Sequence, residues 1–335
     1  MSKIIGEQSI QFDNPPIIVG FSSVVGQKEG EGLLGQYFDK IIEDPMYGEE
    51  NWELAESKFQ KVASQLAINN AKLTINDIRY IFAGDLLSQL IATTFAFKDF
   101  QKPLFGLYGA CSTMGESLQL AAMCVDGGFA PYTLAVTSSH YCSAEKQFRF
   151  PLEYGNQRPP TTTWTVTGSG AIVLGRQGKG PRVTYITPGK IMDYGIKDPM
   201  NMGACMAPAA ADTIYQHFKD LKSKPEDYDL IATGDLGVVG KSLVKKMLLE
   251  KGYELKDNFT DCGIEIYSPT AQDTHAGGSG CACSAVTLTG YFLKKMLSGE
   301  LKKILLVPTG ALLSTVSSNE GESVPAIAHG VVIEY

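Results

Sequence analysis

The chain repeats itself once, and this repeat constrains the fold more than any other feature of the sequence. Residues 51–90 align without a gap with residues 201–240, at a constant offset of 150 positions. In both copies a long helical pattern leads through a short turn into a short apolar strand. The first strand ends in Gly84-Asp85-Leu86 and the second in Gly234-Asp235-Leu236. Self-similarity on this scale predicts a fold built from two equivalent halves.

The correspondence continues downstream at shifted offsets. The helix that opens at Ala110-Cys111-Ser112 matches the one that opens at Cys281-Ala282-Cys283-Ser284, and the strand Thr133–Val136 matches Ile304–Val307. The repeat predicts an N-terminal half over residues 1–179 and a C-terminal half over 180–335. The first half also carries an insertion, at about residues 139–165, with no counterpart in the second. Insertions without a structural duty often carry function.

The apolar patterns predict how the two halves are layered. The helices that follow Cys111 and Cys283 are apolar on nearly every face, which is typical of a buried helix. The strands are continuous apolar runs, which indicate sheets covered on both faces. We therefore expect an α/β protein with a thiolase-like five-layer α-β-α-β-α stack. Its two similar halves should be related by a pseudo-twofold, with the two buried helices side by side.

Charge and hydropathy exclude several classes of protein. The formal net charge is −7 and no Lys/Arg run stands out, so nucleic-acid binding is not expected. No stretch reaches the ~18 apolar residues that a transmembrane helix needs, and the first residues lack the features of a signal peptide. We expect a soluble protein that reaches a membrane only peripherally or through partners.

The cysteines and glycines argue against a metal or a cofactor. The seven cysteines are scattered in apolar contexts, so we expect mostly buried free thiols in a reducing compartment. The pair Cys281 and Cys283 is too tightly spaced for a usual zinc site and has no second pair. The run Gly277–Gly280 lacks the spacing of a dinucleotide-binding loop. The sequence therefore predicts no metal and no cofactor.

Cys111 is the sharpest candidate for chemistry. It lies in a predicted turn between a strand end and a buried helix, where free N–H groups can lower the pKa of a thiol and bind an oxyanion. The alternative is a small buried cysteine that only packs.

Three of the four histidines are candidate partners of this thiol, since a nucleophilic thiolate needs an acid and a base nearby. His140 follows a strand end on the same predicted edge, His275 precedes the glycine run, and His329 precedes the last strand. Each could instead be a hydrogen-bonded structural histidine. His217 lies in an amphipathic helix, and we expect it on the surface.

Other donors could bind an anion. The run Gly277–Gly280 could form an anion-binding nest at a helix start, or simply a tight turn. Arg149 and Arg158, both in the insertion, could bind carboxylates through two hydrogen bonds, although lone arginines are more often surface groups.

A cysteine at the start of a buried helix in a duplicated half resembles the thiolase and ketoacyl-synthase superfamily, over essentially the whole chain. Within that superfamily, several segments together resemble the stage V sporulation protein AD family. These segments are Gly84–Leu87, Gly109–Thr113, Ser138–His140, Arg149–Pro151, Val166–Ala171, Met206–Ile214, Gly277–Ala285 and Thr309–Ser314.

The resemblance implies a function in sporulation. It implies binding of dipicolinic acid (pyridine-2,6-dicarboxylate), free or as its calcium chelate. It also implies a soluble component of a membrane transport complex that carries this acid into the developing spore. The implied partners are small membrane proteins of the same operon, at the cytoplasmic face of the spore inner (forespore) membrane. The superfamily also implies a homodimer that pairs first-half strands across a twofold, for which Thr133–Val136 is suited.

The sequence departs from the pattern of working condensing enzymes, which pair the cysteine with His/His or His/Asn from the second half. The turn Thr233–Leu236 contains no histidine, and the helix start Gly280-Cys281-Ala282 contains no Gly-Asn-Thr-Ser element. His275 lies one residue nearer the helix than the thiolase histidine. Fold resemblance alone does not restore an activity that the site residues do not support.

Two functions therefore remain open, and the first is favoured. In one, the former acyl pocket binds a small planar dicarboxylate. In the other, the protein is an acyltransferase or condensing enzyme with Cys111 as nucleophile and His275 and His329 as its partners. The expected ligand site is the place where several of the candidates converge, with Arg149 and Arg158 at its rim and Asp85 orienting a histidine or accepting calcium. Its members are Asp85, Cys111, His140, Gly278, Ser279, Gly280 and His329.

Overall fold

Two five-stranded sheets with the same strand order form the frame of the protein, whose computed structural model describes residues 3–152 and 157–335. The first-half sheet has the order β1-β5-β4-β2-β3 and the second-half sheet β6-β10-β9-β7-β8. A single residue pair, Ile17 with Arg182, joins the two sheets edge to edge. The strands are β1 (Ile17–Gly26), β2 (Tyr80–Gly84), β3 (Leu104–Gly106), β4 (Tyr132–Ser139), β5 (Gly168–Gly175), β6 (Arg182–Thr187), β7 (Leu230–Thr233), β8 (Phe259–Asp261), β9 (Lys303–Val307) and β10 (Gly330–Glu334).

Helices occupy three layers around these sheets. Helix α1 covers the outer face of the first sheet, α4 and α5 pack together on the second half, and α2 and α6 lie between the sheets. The helices are α1 (Trp52–Asn70), α2 (Thr113–Asp126), α3 (Tyr141–Phe148), α4 (Met202–Leu221), α5 (Gly237–Glu250) and α6, which runs from Cys281–Thr287 through a π-helical turn at Leu288–Phe292 into Leu293–Leu297. The predicted five-layer α/β fold is confirmed.

The remaining helices and strands of the described residues are short. The strands are Lys3–Ile5, Ser9–Gln11, Lys40–Ile42, Trp164–Thr165, Gly278–Ser279, Thr309–Ala311 and Ala326–Ala328. The short α-helices are Gln27–Gly30, Ile91–Phe97, Cys262–Ile266 and Thr315–Asn319, and the 3-10 helices are Gly35–Tyr37, Ile75–Asp77, Ser88–Leu90 and Pro225–Asp227.

The repeat extends to the helix caps. The Asn51 side chain accepts a hydrogen bond from Leu54 N at 2.9 Å and begins α1, and Asn201, 150 positions later, accepts one from Ala204 N at 3.3 Å and begins α4. An asparagine oxygen in this position satisfies a backbone donor that the helix itself leaves free. The same residue therefore sets the start of the same helix in both halves.

The main core lies between the sheets, around the two buried helices. Met114, Leu118 and Val125 of α2 and Val286 and Phe292 of α6 are buried in one continuous apolar cluster. Burial of each such side chain contributes about 1.5–3 kcal/mol to the free energy of folding. The prediction of two buried central helices is confirmed.

The position of strand β4 corrects one expectation. Thr133–Val136 was expected to pair with a second copy of the chain, but β4 is hydrogen-bonded to β2 on one side and to β5 on the other. Its backbone donors and acceptors are therefore used within the sheet. The edge strand of the first half is β3, where Leu104 and Phe105 are exposed.

All seven cysteines are free, as predicted, and four of them are buried. Across residues 3–152 and 157–335, no helix combines the length and apolarity that a membrane span requires.

Candidate functional site

A cavity of about 380 Å³ opens at the carboxyl ends of β2 and β3, beside Cys111. Both halves contribute to its wall, and the insertion forms one side of it. The described lining residues are Leu86, Tyr108, Ala110, Cys111, Ala144, Glu145, Phe148, Arg149, Phe150, Pro151, Gln157, Arg158, Thr163, Thr165, Pro199, Met200, Met202, Met206, Ser279, Ala311 and Leu313.

Cys111 lies where the sequence predicted, in the turn just before α2. The preceding residue, Ala110, has a φ of 49°, a left-handed conformation that is uncommon for a residue with a side chain. The Cys111 Sγ lies 4.0 Å from Ser279 Oγ on the opposite wall. The pKa of this thiol lies well above its ordinary value because of burial and the neighbouring Asp235 carboxyl. A thiol held protonated in this way is a poor nucleophile at neutral pH.

Asp235 stands directly behind this wall. Its Oδ2 accepts hydrogen bonds from Ser279 Oγ at 3.0 Å and from Gly280 N at 3.1 Å, and the Cys111 thiol interacts with the same carboxyl. Burial raises the pKa of Asp235 to about 7. The sequence interpretation missed this residue as a functional group, although the repeat could have found it as the counterpart of Asp85.

The glycine run forms a tight turn whose N–H groups are used internally. Gly277 N donates to Thr274 O at 3.1 Å, and Gly280 N donates to Asp235. Gly280 has a φ of 98°, and a Cβ at this position would lie 2.6 Å from Ser139 Oγ, so only glycine fits. Gly278 and Ser279 pair with the strand Trp164–Thr165. The idea that Gly280 offers a free N–H to an anion is wrong, while Ser279 does line the cavity.

His140 is placed away from the described cavity wall. Its Nδ1 accepts a hydrogen bond from Cys142 N at 3.2 Å and caps α3, while its Nε2 donates to Pro45 O at 2.8 Å. Burial lowers the pKa of this histidine. Its ring also packs edge-on against Phe59, so its contacts are those of a structural histidine.

His275 and His329 are also absent from the described lining of the cavity. The His275 Nε2 lies 3.1 Å from Asp273 Oδ1, and its Nδ1 lies 3.0 Å from Pro159 O. His329 is buried, accepts a long hydrogen bond of 3.4 Å from Gly189 N, and has its pKa lowered to about 4 by burial. The predicted convergence of the histidines on Cys111 is therefore not found.

Asp85 organises the loop after β2 and does not line the cavity in the described residues. Its Oδ1 accepts from Leu87 N at 2.7 Å, and its Oδ2 accepts from Thr93 N at 2.8 Å and from Thr93 Oγ1 at 2.6 Å. Both oxygens are thus engaged within the protein. The expectation that Asp85 orients a histidine or accepts calcium at the pocket does not fit this arrangement.

The two arginines of the insertion do reach the cavity. Arg149 Nη1 pairs with Glu145 Oε1 at 2.8 Å, and Arg158 pairs with Asp273 and lies over the Trp164 ring. Glu145 also lines the cavity, and burial raises its pKa. Thr163 also lines the cavity, and its hydroxyl is buried without a hydrogen-bond partner in the described part of the chain.

The lining side chains of Glu145, Arg149, Arg158 and Thr163 form what we call the polar end of the cavity, and other lining residues, including Phe148, Met206 and Leu313, are apolar. Concave sites with a few polar groups in an apolar wall are typical of small-molecule binding.

Comparison with known proteins identifies the family. The model of the stage V sporulation protein AD family matches residues 6–334. Stage V sporulation protein AD of Bacillus subtilis is 46% identical over 332 residues, covering 99% of this chain and 98% of the relative. The chain belongs to the stage V sporulation protein AD family.

Solved structures share the fold of this stage V sporulation protein AD family member at low sequence identity. The 3-oxoacyl-[acyl-carrier-protein] synthase III of Aquifex aeolicus is 14% identical, with a TM-score of 0.57, covering 96% of this chain and all of that one. A cysteine-to-alanine variant of OleA from Xanthomonas campestris is 14% identical, with a TM-score of 0.61, covering 97% of this chain and 98% of that one. These likenesses establish the thiolase-like fold.

Proposed function

We propose that this sporulation protein binds dipicolinic acid in the cavity beside Cys111 and serves the uptake of that acid into the developing spore. The observation that carries the proposal is the polar end of the cavity. It combines two guanidinium groups, of Arg149 and Arg158, with the buried and unpartnered hydroxyl of Thr163. Family membership supports the same role.

The chemistry of the polar end suits a planar dianion. Burying a carboxylate without donors is costly, whereas a planar guanidinium can donate two parallel hydrogen bonds to it. Arg149 and Arg158 are already paired with Glu145 and Asp273, so a ligand would compete with these partners.

The surroundings of Cys111 do not favour acyl transfer. Such a step needs a thiolate and a group that accepts its proton, normally a histidine. No histidine is part of the described lining, and Asp235 beside Cys111 raises the pKa of the thiol further. A condensing enzyme remains the alternative that the experiment below must exclude.

We also propose how the protein assembles with a second copy and with membrane proteins. Two copies would pair through β3, and small membrane proteins of the same operon would hold the dimer at the cytoplasmic face of the forespore membrane. The exposed edge of β3 supports the first part, and family membership motivates the second.

Calorimetric titration with dipicolinate tests the proposed ligand and its placement. Arg149→Ala and Arg158→Ala should each weaken binding by about tenfold or more, because a hydrogen bond to a charged group contributes about 1.5–3 kcal/mol. Arg176→Ala is the matched control, since Arg176 is exposed and does not line the cavity. Equal affinities in all variants would place the ligand elsewhere. The alternative is tested by incubation with acyl thioesters followed by intact-protein mass spectrometry. An acylated Cys111 would favour a condensing enzyme instead.

A further inference from the structure

The carboxyl of Asp235 is buried immediately behind the cavity wall and is only partly satisfied. Ser279 Oγ and Gly280 N both donate to its Oδ2, whereas its Oδ1 is buried without a hydrogen-bond partner among the described protein groups. A buried ionised carboxylate normally has each oxygen hydrogen-bonded or paired with a cation.

Among the described residues, no group that faces this carboxyl carries a positive charge to neutralise it. These groups are the thiol of Cys111 before α2, the carboxyl of Asp261 and the thiol of Cys262 at the end of β8, and the thiols of Cys281 and Cys283 in α6. Asp261 is itself buried and accepts hydrogen bonds from Leu236 N and Gly237 N. The surroundings therefore disfavour a negative charge on Asp235.

The protonation state of Asp235 determines whether the cavity wall offers a hydrogen-bond donor to a ligand. While Asp235 is ionised, Ser279 directs its hydroxyl hydrogen at the carboxylate and turns lone pairs toward the cavity. The negative charge of the ionised carboxylate also lies directly behind this wall, where it repels an anion in the cavity. A proton on Asp235 removes the charge and frees Ser279 to donate.

We propose that dipicolinate binds together with one proton, which Asp235 takes up, so that the dianion enters only when this buried acid is neutral. This inference rests on the proposed function and adds the regulation of that site. The proton passes from solvent to a carboxylate oxygen of Asp235, and no covalent bond to the ligand forms.

The proposed coupling between proton uptake and binding predicts how dipicolinate affinity changes with pH. Burial raises the pKa of Asp235 to about 7, so the free protein binds this proton at pH 6 and has lost it at pH 8. Both carboxyls of dipicolinate are ionised across that range. The affinity should therefore weaken about tenfold between pH 6 and pH 8, as expected for loss of one required proton.

The experiment measures proton uptake by calorimetry at pH 8 in buffers of different ionisation enthalpy, and affinity from pH 6 to pH 8. Wild type should take up about one proton per dipicolinate. Asp235→Asn, which replaces the carboxyl by a neutral group of nearly the same size, should bind without proton uptake and with an affinity that is nearly constant with pH.

Glu56→Gln is the decisive control, because Glu56 is another buried acid whose pKa, about 8, falls in the same window. This variant should keep the proton uptake of wild type. Loss of uptake in Glu56→Gln but not in Asp235→Asn would overturn the inference, as would pH-independent binding by wild type. If Asp235→Asn does not fold, binding by wild type without proton uptake still contradicts the inference. Absence of binding at every pH would instead contradict the proposed function.

Discussion

His217 is buried in the second half and bridges two elements by hydrogen bonds. Its Nδ1 lies 2.7 Å from Thr187 Oγ1 on β6, and its Nε2 lies 2.7 Å from Tyr228 Oη, just before β7. Burial lowers its pKa to about 3, so the ring is neutral at pH 7. The prediction that His217 lies on the surface is wrong, because the helical pattern alone does not show that β6 and the segment before β7 cover this face of α4.

Replacing His217 by alanine should destabilise the fold by about 2 kcal/mol or more. The change opens a cavity and removes two buried hydrogen bonds. Urea unfolding followed by circular dichroism measures the loss. Lys219→Ala on the same helix is the control, since Lys219 is exposed and its ion pair with Glu7 should contribute less than about 1 kcal/mol. A loss in His217→Ala no larger than in the control would contradict the structural role.

At the scale of elements, the buried Glu56 of helix α1 forms hydrogen bonds to strand β4 and to helix α3. Its Oε1 accepts a hydrogen bond from Ser138 Oγ at 3.0 Å, and its Oε2 accepts one from Ser143 Oγ at 2.7 Å. Burial, together with the nearby Asp85, raises the pKa of Glu56 to about 8. Helix α3 also forms part of the cavity wall, so this acid holds the insertion against the first half.

The raised pKa of Glu56 makes stability depend on pH in a defined direction. The unfolded chain loses this proton near pH 4.5, whereas the folded protein keeps it up to about pH 8. The folded state therefore binds more protons between these values, and stability falls as pH rises.

Between pH 7 and pH 8 the free energy of unfolding of wild type should fall by up to about 1.4 kcal/mol per pH unit from this group. Glu56→Gln should flatten that slope, and Glu50→Gln, at an exposed position before α1, should keep it. Urea unfolding at a series of pH values measures the slopes. Equal slopes in wild type and Glu56→Gln would show that Glu56 is ionised in the folded protein.

Much of the fold could be predicted at this scale, and less of the site. The repeat and the apolar patterns can be recognised in the sequence itself, and they predicted both buried helices and the turn that positions Cys111. The repeat marks Asp235 as the counterpart of Asp85, but it does not show that Asp235 contacts Ser279 and Gly280. Those contacts, like the contact of Glu56 with Ser143, join residues that are distant in sequence. The predicted convergence of the histidines on Cys111 is not found, because a strand-end position does not determine which way a side chain points. His140 points toward Pro45.

At the scale of the whole molecule, the first half ends in an open sheet edge at β3. Its Leu104 and Phe105 are 38% and 49% exposed, and the Phe105 ring stacks on Phe82 at 4.9 Å. An exposed apolar edge strand is a ready partner for another strand, and a twofold closes such pairing into a dimer.

The wild-type protein should be a dimer at micromolar concentration, and Phe105→Lys should shift it to the monomer by placing a charge at the pairing edge. Light scattering coupled to size exclusion gives the masses. Leu249→Lys, at an exposed apolar position on α5, should leave the dimer intact. A monomeric wild type, or a dimeric Phe105→Lys variant that is folded, would exclude pairing through β3.

The central proposal is that the cavity beside Cys111 binds dipicolinate and that Cys111 is part of its wall, not a nucleophile. The most direct test is the dipicolinate affinity of wild type, Cys111→Ala and Cys111→Trp, measured by calorimetry at pH 6. Wild type should bind saturably and Cys111→Ala should bind within about threefold of it, because removal of a thiol leaves the arginines in place. Cys111→Trp should lose at least about tenfold in affinity, because the indole fills the cavity. Absence of saturable binding by wild type, or equal binding by folded Cys111→Trp, would contradict the account.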